Sequence, residues 1–251
     1  MTNLKGIGKK SREKLSQVLR KTEGIISTKK IADILEINSR DASAIASSWN
    51  KKGWLSRIKR GYYTPVSLAS CSAKPVIENP WLLANVLFSP CYIGGWSAAE
   101  YWGLIEQMFQ TVFIYTEKRF RTKEMSVALT CFSVKRTPEK LFFGLKNIWV
   151  GNVKVKVSDP SRTIIDFLDS PGEFGGIRPV CDVLKAYMQS EYRDLNLLLK
   201  YAEKAKNRTI FKRLGFLVDQ LLPDQKTFLE QCKKRISKGK SQLDPSIKGT
   251  T

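Results

Sequence analysis

Apolar side chains recur at helical spacing three times in the first fifty residues. Leu15, Val18 and Leu19 form one stripe, which ends near Gly24. In STKKIADILEI, Ile31, Ile34 and Leu35 repeat at the same spacing behind Ser27, a natural N-cap. A third helix is expected over RDASAIASSWNKKG, capped by Asn38 or Ser39 and stopped by Gly53. Its inner side would carry Ala42, Ile45, Ala46 and Trp49. The period then falls to two. In GWLSRIKRGYYTPV, Trp54, Leu55 and Ile58 alternate with Arg57 and Lys59, Arg60-Gly61 makes a turn, and Tyr62-Tyr63 return.

Beyond a small, polar stretch at 67–76, the patterning mixes both periods. Pro80 behind Asn79 opens a helix through WLLANVLF. Strands are expected around 111–116, 126–135, 140–144 and 148–157, and NVKVKV alternates cleanly. Ser158 or Asp159 caps a helix that begins at Pro160, and further helices are expected over 177–190, 194–206, 208–222 and 224–237. The fold class is therefore α+β. A winged helix-turn-helix domain over 1–68, a linker over 69–78 and an α+β domain over 79–236 with a helical end precede a basic, disordered tail over 237–251.

The short run YIGGWSAAEYWG, residues 92–103, raises the question of a phosphate-cradling loop. A nucleotidyl-transfer site would need paired carboxylates soon after the glycines, to hold metal ions at the phosphates. The next acids are Glu100, Glu106 and Glu117, and the following strand, TVFIYT, has none. Neither GxxxxGK[ST] nor GxGxxG occurs. Gly95 is better read as ending a strand, with Ser97 helping to cap a helix and Trp96, Tyr101 and Trp102 in the core.

Five scattered cysteines without a CxxC, and no histidine at all, point away from a zinc site, a disulfide framework or a histidine-based nucleophile. No cofactor or metal is expected, the location is expected to be cytoplasmic, and no membrane span is seen.

Charge changes the picture most. The formal net charge is +20, and residues 1–70 alone hold 15 basic against five acidic side chains, half of that excess in well under half the length. Such a field attracts nucleic acid. The link between the second and third helices has helix-turn-helix spacing, and a basic hairpin directly after them reads as a wing. The DNA-facing set is then Ser27, Thr28 and Lys29 at the start of the second helix, Ser39, Arg40, Ser43 and Ser47 on the third, and Arg57, Lys59, Arg60, Tyr62 and Tyr63 on the hairpin. A protein-docking three-helix module remains the bland alternative. A second basic patch is a candidate in the C-terminal half, from Arg119, Arg121, Lys123, Lys135, Arg136, Lys154 and Lys156. The acids Asp159, Asp166, Asp169 and Glu173 would be needed for an enzyme on nucleotides or nucleic acid, but they sit where caps and helix-surface pairs belong, and Arg162 and Asp166 lie one turn apart.

The order of these motifs resembles the AbiEi family, antitoxins of type IV toxin–antitoxin systems. The similarity runs through IKRGYYTPV, YIGGWSAAEYWGLIEQ with TVFIYT, VKVSDPSRTIIDFLDSPGEFGGI and LLKYAEKAKNRTIFKRLGFLVDQL, from about Ser27 to Leu222. The resemblance implies a non-enzymatic, two-function protein. Its winged helix would bind inverted repeats upstream of its own operon and repress it, and its C-terminal domain would neutralise a nucleotidyltransferase-like toxin without requiring a stable complex. A winged-helix regulator with no antitoxin role is the alternative that stays open.

Overall fold

The computed structural model describes residues 8–22, 24–66, 79–245 and 247; the expected linker 69–78 lies outside them. By contacts the chain divides into two units that are not consecutive in sequence. One comprises residues up to 87 with 124–132 and 149–155, the other 88–123, 133–148 and 156 onward. With 50% of residues helical and 19% in strands, the protein is of mixed α and β class.

Helices α1 (Lys9–Arg20), α2 (Thr28–Leu35) and α3 (Ser39–Lys51) bury Leu15, Val18, Ile31, Ala42, Ala46 and Trp49 in one apolar cluster. Leu19 stays 37% exposed and leaves the expected stripe. The Ser27 side chain accepts from the Lys30 amide at 3.1 Å, so the predicted cap forms. Asn38 caps α3, accepting from the Asp41 amide at 2.9 Å while its own amide donates to the Asp41 carboxylate at 2.9 Å. Glu36 takes a left-handed backbone at φ 53° and turns the chain sharply between the two helices. Strand β1 (Ile26–Ser27) pairs with β3 (Tyr62–Pro65), which in turn pairs antiparallel with β2 (Leu55–Lys59). The register passes from Arg57↔Tyr63 to Lys59↔Tyr62, so Ile58 forms a bulge.

The expected WLLANVLF helix is α4 (Pro80–Phe88). The second sheet has strand order β6-β7-β5-β4-β9-β8, from β4 (Cys91–Ile93), β5 (Thr111–Thr116), β6 (Glu124–Val127), β7 (Thr130–Arg136), β8 (Leu145–Val150) and β9 (Val153–Ser158). β4 runs antiparallel to β5 and parallel to β9. Two expected single strands are hairpins instead. The run 126–135 is broken where Ala128 and Leu129 both take positive φ, and 148–157 is broken at Gly151, φ 59°. The expected strand 140–144 is a short 3-10 turn, Glu139–Leu141, and irregular chain beyond it. Period-two patterning continues unbroken across a tight hairpin, which is why the sequence showed one strand where there are two.

The short helix α5 (Gly95–Tyr101) leaves β4 at the glycine pair. A side chain at Gly94 would meet the Tyr115 ring at 2.6 Å, and one at Gly95 the Phe174 ring at 2.7 Å. The turn is packed closely against aromatic rings on the side where these side chains would lie. Ser97 does not cap the helix: it accepts from the Phe113 amide at 3.0 Å and donates to the Thr111 carbonyl at 3.4 Å, tying α5 to β5. Trp96 stacks on Phe109 and Trp102 donates to the Ser158 carbonyl at 2.7 Å, but Tyr101 is 48% exposed and outside the core.

Helices α6 (Pro160–Asp169), α7 (Ile177–Gln189), α8 (Leu195–Lys204), α9 (Thr209–Leu221) and α10 (Lys226–Arg235) gather one large apolar cluster that includes Phe167, Leu184, Leu198, Leu214 and Phe228. The segment after α10, expected to be a disordered tail, is instead held through Asp244. Lys212 donates to the Gly239 carbonyl at 2.7 Å, the buried Arg213 donates to the carbonyls of Gln242 and Leu243 at 3.2 Å, and Asp244 accepts from the Ile177 amide at 2.8 Å. Polar composition alone does not reveal these bonds, because they run from backbone carbonyls to cations on α9. Deleting 237–251 should lower the unfolding free energy by about 2 kcal/mol, since Arg213 loses two acceptors. A urea titration with an unmoved midpoint would show that the segment contributes nothing.

Candidate nucleic-acid interface

Helix α3 is buried along Ala42, Ala46 and Trp49, so the opposite face is forced outward by the helical period. That face exposes Ser39, Arg40, Ser43, Ala44, Ser47 and Lys51. Except for Arg40 and Lys51 these side chains are small, so a partner can approach the helix backbone closely. A shallow depression of about 450 Å³ runs along it, lined by Ala44, Ser47, Ser48, Lys51 and Lys52. Ser48, Lys51 and Lys52 were not among the expected interface residues. They continue the 40–44–47 spacing by one further turn, and that continuation is the signal that would have found them.

The β2–β3 hairpin is held beside the start of α2. Gly61, at φ 81°, gives its carbonyl to the Thr28 amide at 2.9 Å, and any side chain there would sit 3.5 Å from the Thr28 hydroxyl. This bond brings Arg60 and the exposed Lys29 into one neighbourhood. Arg57, Lys59 and Arg60 are all exposed, and the Lys59 ammonium lies 5.3 Å above the Tyr62 ring. Lys52 similarly covers Trp54 at 4.8 Å.

Three of the expected contact residues are otherwise engaged. Tyr63 is 6% exposed and packs in the helical core, because its face of β3 lies against the apolar cluster of α1, α2 and α3. The Ser27 hydroxyl is taken by its capping bond, and the Ser43 hydroxyl donates back to the Ser39 carbonyl at 2.8 Å. The exposed set that remains is Lys29, Ser39, Arg40, Ser47, Arg57, Lys59 and Arg60, with Thr28 and Tyr62 half-buried beside it.

In the second unit, Arg119, Arg121, Lys123, Lys135 and Arg136 do come together, lining an open concavity of about 610 Å³ with Lys118 and Glu173. Lys154 and Lys156 are not among its lining residues. Both are exposed on β9, where Lys154 covers Trp149 at 4.8 Å. Lys156 instead acts with Lys118 on Cys91, whose thiol burial pushes up to about 11 against the pull of those two cations.

The four acids are each accounted for by local partners. Asp159 caps α6, accepting from the Arg162 amide at 2.7 Å and the Tyr201 hydroxyl at 2.8 Å; burial raises its carboxyl above the ordinary range despite both bonds. Asp166 pairs with Arg162 at 2.9 Å, and the two side chains are only 3% and 6% exposed. The expected pair thus forms, but inside the fold and not on its surface. Tyr92 bridges it, accepting from Arg162 at 3.0 Å and donating to Asp166 at 3.2 Å, and the guanidinium stacks 4.0 Å from Phe143. Burial lifts Asp166 to about 6, with Arg162 and Lys135 pulling the other way. Asp169 moves oppositely: burial would raise it, but Lys135 at 3.0 Å and the Asn207 amide at 2.9 Å hold it below its ordinary value. Glu173 lies 3.4 Å from Lys123 and 3.6 Å from Lys135. Among the described residues no three of His, Cys, Asp and Glu gather as metal ligands, and no helix is long and apolar enough to cross a membrane.

No protein-family model matches this chain, and no curated protein is significantly similar to it.

A carboxyl raised from 3.8 to about 6 on folding contributes stability that is present in full below its unfolded value and is lost as pH rises through about 6. Asp166→Asn should therefore flatten the fall in urea midpoint between pH 4 and pH 7. Identical pH profiles for the two proteins would show that Asp166 does not titrate in this window.

Proposed function

We propose that residues 1–68 form a winged helix-turn-helix domain and that the protein is a DNA-binding transcriptional repressor of its own operon. The observation that carries this reading is the outward face of α3. Its small side chains, with Arg40 at one end and Lys51 at the other, lie in the same unit as the exposed cations of the hairpin. A helix of that surface can sink into a major groove, where Arg40 meets a base edge or a phosphate. Arg57, Lys59 and Arg60 would then lie along the sugar–phosphate backbone or in the adjoining minor groove. Inverted repeats in the operator would suit two protomers or two cooperating chains.

The antitoxin role and the toxin partner rest on the resemblance to the AbiEi family. On that basis the second unit neutralises a nucleotidyltransferase-like toxin, in the cytoplasm and without itself acting as an enzyme. The local partners of Asp159, Asp166, Asp169 and Glu173 support the non-enzymatic reading, because each carboxylate is already engaged in the fold.

The deciding measurement is binding of the full chain to its own upstream DNA against a scrambled duplex across a salt series. With six phosphate contacts, affinity should fall about a thousandfold between 50 and 200 mM salt. Arg40→Ala should cost about 1–3 kcal/mol on the specific duplex and relax base preference, whereas a variant lacking Arg57, Lys59 and Arg60 should weaken both duplexes evenly. Equal binding to both duplexes by the unaltered protein would remove the repressor assignment. Co-expression with the adjacent gene product then tests the antitoxin role, which the hairpin variant should retain.

A further inference from the structure

The concavity in the second unit is not used by the repressor reading, and its charge is one-sided. Lys118, Arg119, Arg121, Lys123, Lys135 and Arg136 line it against a single carboxylate, Glu173. Like charges brought together repel, so without a ligand this arrangement is unfavourable and its field selects a polyanion.

The loop that supplies four of these cations, residues 117–123, is pinned along its length. The Lys118 amide donates to the Thr116 hydroxyl at 3.2 Å, and the Phe120 ring packs 5.1 Å from Phe88. The Lys123 carbonyl accepts from the Val134 amide at 2.7 Å, which seats the loop's far end on β7. Arg119 and Arg121 are therefore held on either side of a half-buried anchor and stay exposed, lining the concavity with Arg136.

The two classes of cation here behave differently. Lys123 and Lys135 are engaged by Glu173, and Lys135 also donates to Asp169 at 3.0 Å and Ser170 at 2.7 Å while lying 5.5 Å over the Tyr115 ring. Arg119, Arg121 and Arg136 have no carboxylate within ion-pair distance among the described residues. Three unpaired guanidinium forks around one concavity suit tetrahedral phosphate oxygens better than they suit solvent alone.

We propose that this concavity is a phosphate-binding site, separate from the α3 surface, that takes a run of successive phosphates through Arg119, Arg121 and Arg136. Its volume of about 610 Å³ is that of a nucleotide-sized site and too small to admit a duplex. The ligand is a nucleoside polyphosphate or the backbone of a short single strand, which present the same chemistry. Among the residues lining the concavity Phe120 is the one aromatic ring, and it packs on Phe88, so recognition is carried by the cations and is of phosphate.

The test uses the full chain and inorganic tripolyphosphate as the probe, followed by calorimetry. The unaltered protein should bind one tripolyphosphate per chain. The triple variant R119A/R121A/R136A should bind it at least tenfold more weakly, while R57A/K59A/R60A, which removes the same charge from the hairpin, should change it less than twofold. All six side chains are exposed, so neither variant threatens the fold. An eight-residue oligothymidylate then separates the sources. Competition with tripolyphosphate, with an affinity falling about twentyfold from 50 to 200 mM salt for three contacts, assigns a single strand. Tripolyphosphate binding without oligothymidylate binding assigns a free polyphosphate. Absence of saturable binding, or equal weakening by both triple variants, overturns the proposal. Neither result bears on duplex recognition by α3, which is read from Arg40→Ala.

Discussion

The second unit depends on one buried ion pair. Arg162 and Asp166 sit one turn apart on α6, a helix whose residues from Pro160 to Leu168 are all buried. Such a helix has no solvent side on which to leave a charge, so each charged group needs a partner inside the protein. Arg162 finds Asp166, the Tyr92 hydroxyl and the face of Phe143; Asp166 finds Arg162 and Tyr92. Removing one member of such a pair typically costs about 3–5 kcal/mol, because the other is left charged and dry. Through Tyr92 the pair fixes β4 against α6, and Tyr92 stacks on Tyr115 at 4.7 Å, which carries the order on to β5. Gly94 can only be glycine beneath that stack.

The same helix orders the surface. Asp169 ends α6 and Glu173 lies in the 3-10 turn that follows it, and there they take Lys135 and Lys123. These engaged lysines leave Arg119, Arg121 and Arg136 as the cations whose charge is not answered. The charged groups thus pass from a buried pair inside α6 to half-exposed acids at its end and in the turn after it.

In the first unit the corresponding constraint is geometric. The sharp turn at Glu36 and the Asn38 cap set how α3 leaves α2, and the bond from Thr28 to Gly61 sets where the hairpin lies. These restraints at the start of α3 and at the hairpin turn set where the exposed cations are carried.

Much of this was legible in the sequence. The positions of α1, α2, α3 and the helices after Pro160 follow from 3.6-residue periodicity with Ser27, Asn38 and Asp159 as caps, signals that are local and therefore readable without neighbours. The exposed cations of α3 follow from the same periodicity, and those of the hairpin from period-two alternation. What the sequence left undetermined depends on distant partners. Tyr63 is buried because its face of β3 packs on the first three helices; Ser97 serves β5 because β5 lies beside it; Arg162 and Asp166 are buried because Tyr92, Phe143 and neighbouring helices cover α6. Hairpin breaks at Ala128–Leu129 and Gly151 do not interrupt the alternation that marks a strand. The polar segment through Asp244 is held by α9 and the first residue of α7, brought near it only by folding. Local propensity is a property of neighbouring residues and is written in their order. Burial and pairing are properties of the whole arrangement, and only the tertiary structure decides them.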